Sequence, residues 1–229
     1  MLPGVLRDSR LKAGLTQAEA AARLGLSQPY LSQLESGRRR LTDEHARAMA
    51  RLYGLPPTSL PTPAEPPKER WPAERLPRQL AALSYPGYAH LPPGRPVNPG
   101  LVVLEALSQS DLDARVAEAL PWVLLRYPDL DWNWLLPRVK LENLQNRLGF
   151  LVSVARELAE RQPEWSGSAP RLRAVERQLE HARLAAETTV GRDSMSEAEK
   201  SWLRKHRPPA AERWNVLSNM TAEQLPYAA

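Results

Sequence analysis

LTQAEAAARLGLSQPYLSQLESGRR, residues Leu15 to Arg39, decides how this chain begins to fold. Thr16 followed three residues later by Glu19 is a capping box, which satisfies two orphan N–H donors and opens a helix. That helix stops near Leu24-Gly25. After the turn Leu24-Gly25-Leu26-Ser27, Ser27 caps a second helix, Gln28 to Ser36, which Gly37 closes. Outward from this pair the same grammar repeats: Leu6 to Ala13 is a helix ended by Gly14, and Thr42 caps a helix from Asp43 to Tyr53 closed by Gly54. Residues 1–60 therefore read as four helices, each with its own start and stop signals.

Two short helices joined by a three-to-four-residue turn containing glycine form the geometry that lays the second helix in the major groove of DNA. The quoted stretch resembles the Xre or phage-repressor helix-turn-helix family, a resemblance that covers about a quarter of the chain. It implies an all-α protein with a lambda-repressor-like helix-turn-helix domain that binds double-stranded DNA. It further implies that Gln17, the second residue of the Thr-Gln pair, meets phosphate at the start of its helix, where the dipole also favours an anion. By position, Gln28, Pro29, Ser32 and Gln33 read base edges. A glutamine can bond an adenine edge through two hydrogen bonds, whereas Pro29 offers only apolar contact, for instance to a thymine methyl. Arg10 and Glu35 match family positions that form an internal ion pair, so both are read as structural. Arg38, Arg39 and Arg40 follow the recognition helix, and three guanidiniums there suit phosphate contacts that set register without reading sequence. Leu31 and Leu34 read as core, while Tyr30 is open between core and DNA contact.

The charge distribution points the same way. The net charge is +5, but residues 1–60 carry nine Lys and Arg against five Asp and Glu, while the remainder carries 22 against 21. The basic excess sits where a polyanion would bind. With no cysteine in 229 residues, disulfides, thiolate metal sites and cysteine nucleophiles are excluded. His45, His90, His181 and His206 are scattered, with no HExxH pair, and there is no phosphate-binding glycine loop or GxSxG elbow. Asp129 and Asp131 read as helix caps or turn residues. No catalytic, cofactor or metal residues are therefore expected, and the chain is not read as an enzyme. No run approaches eighteen apolar residues, so a cytoplasmic protein without a membrane partner is expected.

Length and an apolar content of 42% fit two domains. Thirteen of the 23 prolines fall between Pro56 and Pro99, and proline removes a donor and disfavours helix before it. Pro56 to Lys68, including Pro66-Pro67, reads as semi-rigid connection, with the Pro-rich linker placed at 61–75. Leu76 to Leu83 predicts a short helix, and Leu80 to Asn98 ordered irregular chain. A C-terminal helical domain for dimerisation or partner binding is placed at 76–187. Within it Asn98 and Pro99 start a helix, Asp111 opens another that Pro121 starts or kinks and that runs to Tyr127, Pro137 to Arg161 carries the strongest apolar stripe, and Pro170 to Glu187 is amphipathic. Ser196 with Glu199 is a second capping box, and Pro208 to Leu217 a last short helix. No alternating strand pattern of useful length is found.

All seven tryptophans lie beyond residue 70. Residues 188–229 form a tail in which Trp202, Trp214 and Leu217 are candidates for contacting a protein partner. A DNA reader joined to a helical module without catalytic chemistry is similar to the autoregulating antitoxins that mask a toxin encoded beside them. The alternative is a free-standing repressor or activator whose helical domain dimerises or senses a ligand. Either way a homodimer on a palindromic operator is expected, with half-sites about one helical turn apart.

Overall fold

The computed structural model describes residues 3–65 and 69–227; Pro66, Pro67 and Lys68, part of the expected linker, lie outside the described residues. The chain divides into two compact units, one made of residues up to 64 together with 96–98, the other of 65–95 and 99 onward. The described residues form twelve α-helices and a single two-residue ladder, so the protein is all-α in architecture.

The N-terminal unit contains α1 (Pro3–Lys12), α2 (Gln17–Leu24), α3 (Gln28–Glu35) and α4 (Asp43–Leu52). Each start is chemical. The Thr16 hydroxyl accepts from the Glu19 N–H while the Glu19 carboxylate accepts from the Thr16 N–H at 2.8 Å, and Ser27 and Thr42 accept from the N–H groups of Tyr30 and His45. Gly25 ends α2 in the left-handed region at φ 67°, ψ 28°, a conformation that costs most residues 1–2 kcal/mol. The helices enclose Leu6, Leu15, Ala20, Ala21, Leu31, Leu34, Met49 and Tyr53. Proline-rich chain also returns to this unit, where the Asn98 side-chain amide donates to the carbonyls of Thr58 (3.1 Å) and Leu60 (2.8 Å).

In the C-terminal unit, α5 (Arg75–Ala82), α6 (Pro99–Leu107), α7 (Ala114–Arg126), α8 (Trp132–Leu141), α9 (Gln145–Arg161) and α10 (Ala169–Glu180) precede α11 (Glu197–His206) and α12 (Pro209–Arg213). Two-residue strands β1 (Thr188–Thr189) and β2 (Val216–Leu217) pair in parallel, Thr188 with Val216 and Thr189 with Leu217. The axis of the unit is α9, buried without interruption from Gln145 to Ala155 and packed by α7, α8, α10 and α12.

Here the sequence expectation needs correcting. The stripe from Pro137 to Arg161 is two helices, because Asn143 turns the chain at φ 58° and the Leu144 N–H closes α8 on the Val139 carbonyl at 2.8 Å. Asparagine is the one common non-glycine residue that ends helices in this way. Asp113, not Asp111, caps α7, accepting from the Arg115 N–H at 2.9 Å, while the backbone at Asp111 pairs antiparallel with that at Arg192. α10 ends seven residues before Glu187, since the Asn146 side chain captures both the N–H and the C=O of Leu184 at 2.9 Å. α12 stops at Arg213, and Asn215 at φ 52° redirects the chain into β2.

Candidate nucleic-acid interface

On α3, Leu31, Leu34 and Glu35 are buried, whereas Gln28, Pro29, Ser32 and Gln33 are exposed. At about 100° per residue, those four side chains occupy one arc facing away from the core. The helix therefore presents two glutamines, a hydroxyl and a proline ring to solvent. That is the donor, acceptor and apolar inventory that can contact base edges.

The rear of α3 is fixed by charge. Arg10 donates to both carboxylate oxygens of Glu35, through Nε at 2.6 Å and Nη2 at 3.1 Å, and through Nη1 to the Leu15 carbonyl at 2.8 Å. The two side chains are 7% and 5% exposed, so the pair is desolvated and joins α1 to α3. Its hydrogen bond to Glu35 raises the Arg10 pKa further above its ordinary value, against the effect of burial. Tyr53 lies in the same field, and burial together with the Glu35 charge pushes its phenol up.

Gln17 is held from inside. Its amide nitrogen donates to the Glu35 carboxylate at 3.1 Å, and its oxygen accepts from Gln28 at 3.5 Å. A chain of contacts thus runs from Arg10 through Glu35 and Gln17 to Gln28 at the front of the recognition helix. Because an amide nitrogen carries two hydrogens, Gln17 keeps a second N–H beyond the one given to Glu35. Glu19 is occupied by Thr16, whose side-chain and backbone donors lower its pKa.

Arg38, Arg39 and Arg40 are exposed, and no carboxylate pairs with any of them among the described residues. Arg39 is oriented: its guanidinium carbon lies 5.1 Å from the Tyr30 ring centre, and Tyr30 meets the His45 ring edge-on at 5.6 Å. Tyr30, left open by the sequence, is half-buried and serves as a platform for Arg39. Tyr30 and His45 are the site residues that sequence reasoning did not assign. The available signal was a tyrosine on the recognition helix preceding an arginine run.

The three tail candidates separate. Trp202 is 53% exposed and stacked on His206 at 4.4 Å, whereas Trp214 is fully buried and Leu217 is 4% exposed. The Trp214 indole donates to Ser153 Oγ at 2.7 Å and covers Gly149, where an added Cβ would lie 2.4 Å from the ring. The tail is therefore built into its own domain at Trp214 and Leu217, which corrects their reading as partner anchors. No cluster of three or more potential metal ligands occurs among the described residues, and none of their helices is long and apolar enough to cross a membrane.

Residues 6–60 match the helix-turn-helix family. The chain is 37% identical over 89 residues to the propionyl-CoA carboxylase regulator of Cereibacter sphaeroides, an alignment taking in 38% of this chain and 18% of that protein. It is 45% identical over 56 residues to an uncharacterised HTH-type transcriptional regulator of Sinorhizobium fredii, covering 24% of this chain and 73% of the other. The chain thus spans less than a fifth of the first relative and nearly three quarters of the second. No solved structure matches it. On the strength of its N-terminal domain, whose exposed recognition helix and trailing arginines are described above, the chain belongs to the helix-turn-helix family of transcriptional regulators.

Proposed function

We propose that the protein is a sequence-specific regulator that binds an operator as a homodimer, reading base edges with Gln28, Pro29, Ser32 and Gln33 and setting register through Gln17, Arg38, Arg39 and Arg40. The observation that carries this reading is the two-sided α3, locked from behind by Arg10 and Glu35 and bare in front. The C-terminal unit supplies dimerisation or ligand sensing. Burial of Trp214 and Leu217 in that unit favours this reading over a tail kept free for a partner. Binding of the full-length chain to its own promoter, followed by reporter expression with and without the protein, tests it. Specific binding with altered expression supports the proposal, and binding indistinguishable from that to unrelated duplex overturns it.

A second reading, an autoregulating antitoxin, draws support from Trp202, an exposed aromatic of the kind that anchors protein interfaces. It requires a toxin encoded alongside. Co-expression with the neighbouring gene product separates the two: a stoichiometric complex and relief of toxicity select the antitoxin, and a lone dimer on the promoter selects the independent regulator.

A further inference from the structure

Three tyrosines from distant segments converge on one cavity in the C-terminal unit. Tyr85 precedes and Tyr88 ends the tight turn Pro86–Tyr88, and Tyr227 arrives from the other end of the unit and donates from its hydroxyl to the Glu118 carbonyl on α7 at 2.7 Å. The cavity has a volume of about 240 Å³ and is lined by these rings with Arg115 and Glu118. The Tyr85 ring centre lies 5.9 Å from Tyr88 with planes at 57°, and 6.2 Å from Tyr227 with planes at 85°. Trp122 meets Tyr85 edge-on at 5.3 Å and holds it. The Gly87 backbone packs closely against the Tyr85 ring, where an added Cβ would lie 2.6 Å away, and so helps to fix that ring.

Mutually inclined ring faces around a small volume present negative quadrupole potential from more than one side, the surrounding preferred by a methylated ammonium. Burial pushes the Tyr88 phenol up to about 12 and raises those of Tyr85 and Tyr227, so all three rings are neutral at physiological pH. The buried Tyr88 hydroxyl faces the Asp113 carboxylate, whose charge adds to burial in raising its pKa. Arg115 and Glu118 stand three residues apart on α7, yet neither is in a salt bridge among the described residues. The lining thus brings aromatic faces and a carboxylate for a cation, and a guanidinium for an anion, to one cavity.

We propose that this cavity binds a small zwitterion carrying a methylated ammonium and a carboxylate, the ammonium among the three tyrosine rings beside Glu118 and the carboxylate on Arg115. If the protein is the ligand-sensing regulator proposed above, this is where its signal enters. The binding itself is independent of DNA and is measured without it. The full-length chain is titrated by calorimetry with glycine betaine, with choline, and with 3,3-dimethylbutanoate, the uncharged-head isostere of glycine betaine. Glycine betaine is expected to bind, with its all-carbon isostere weaker by roughly tenfold or more. Tyr227→Leu is expected to abolish the preference for the ammonium head, and Arg115→Gln the preference for betaine over choline. Far-UV circular dichroism and thermal unfolding confirm that each variant is folded. Absence of glycine betaine binding, equal binding of the isostere, or an Arg115→Gln protein that binds betaine unchanged each overturns the proposal.

Discussion

Replacing Glu35 by alanine removes the partner of a guanidinium that cannot shed its charge. The Arg10 and Glu35 side chains are 7% and 5% exposed, and without the carboxylate Arg10 keeps only the Leu15 carbonyl at 2.8 Å. Stranding one member of a buried pair costs about 3–5 kcal/mol. A unit of this size has a total stability of about 3–10 kcal/mol at ~0.05–0.15 kcal/mol per residue, so a large share of it is lost. The double variant Arg10→Met with Glu35→Leu removes both charges, keeps comparable volume and is expected to recover most of that loss. Urea unfolding of the full chain separates the units optically, because every tryptophan lies at residue 71 or beyond. Far-UV circular dichroism reports all helices, and tryptophan fluorescence only those of the C-terminal unit. Glu35→Ala should lose part of its helical signal at low urea while the fluorescence transition stays in place. Unchanged unfolding of Glu35→Ala, or a double variant as unstable as the single, would refute the reasoning.

Trp214→Ala opens the space against α9 and should destabilise the C-terminal unit by about 3–5 kcal/mol, while Gly149→Ala, which drives a methyl into the same ring, should cost about 1–3 kcal/mol; thermal unfolding checks both. Glu105 is completely buried and its pKa is raised by desolvation, with the Trp71 N–H and Arg70 only partly offsetting that cost. The folded chain therefore holds this proton more tightly than the unfolded chain, so stability should rise as pH falls from the raised value toward the ordinary carboxylate pKa. Glu105→Gln should lack that rise in unfolding experiments across the same window. Tyr30→Leu leaves Arg39 without its platform and should weaken DNA binding by roughly two- to fivefold on all sequences alike, measured by fluorescence anisotropy.

How much of this was legible depended on distance along the chain. Thr16, Ser27, Thr42 and the glycines that follow each helix act within four residues of themselves, so α2, α3 and α4 could be read directly. Asn143 obeys a local rule too, but the apolar spacing continues across it and hides the break between α8 and α9. Trp214 could not be placed because its seat is made by Gly149 and Ser153, more than sixty residues earlier. The same holds for Tyr227, which finds Tyr85 and Glu118 only once the chain has folded back. At the proposed DNA face, Gln28 and Gln33 were picked out by their position in the helix-turn-helix resemblance, and both are exposed on α3. The tether of Gln17 to Glu35, and the stacking of Arg39 on Tyr30, required the arrangement of helices.

The most direct test of the central claim, that α3 reads DNA while the following arginines grip its backbone, is the affinity of the full chain for a selected operator and for single-base variants across a range of salt. Arg38→Ala should weaken all sequences equally and lower the salt slope by about one unit. Gln28→Ala should leave the slope unchanged and lose about 1–3 kcal/mol of discrimination at one base position. Wild-type affinity, slope and specificity in both variants would contradict the account.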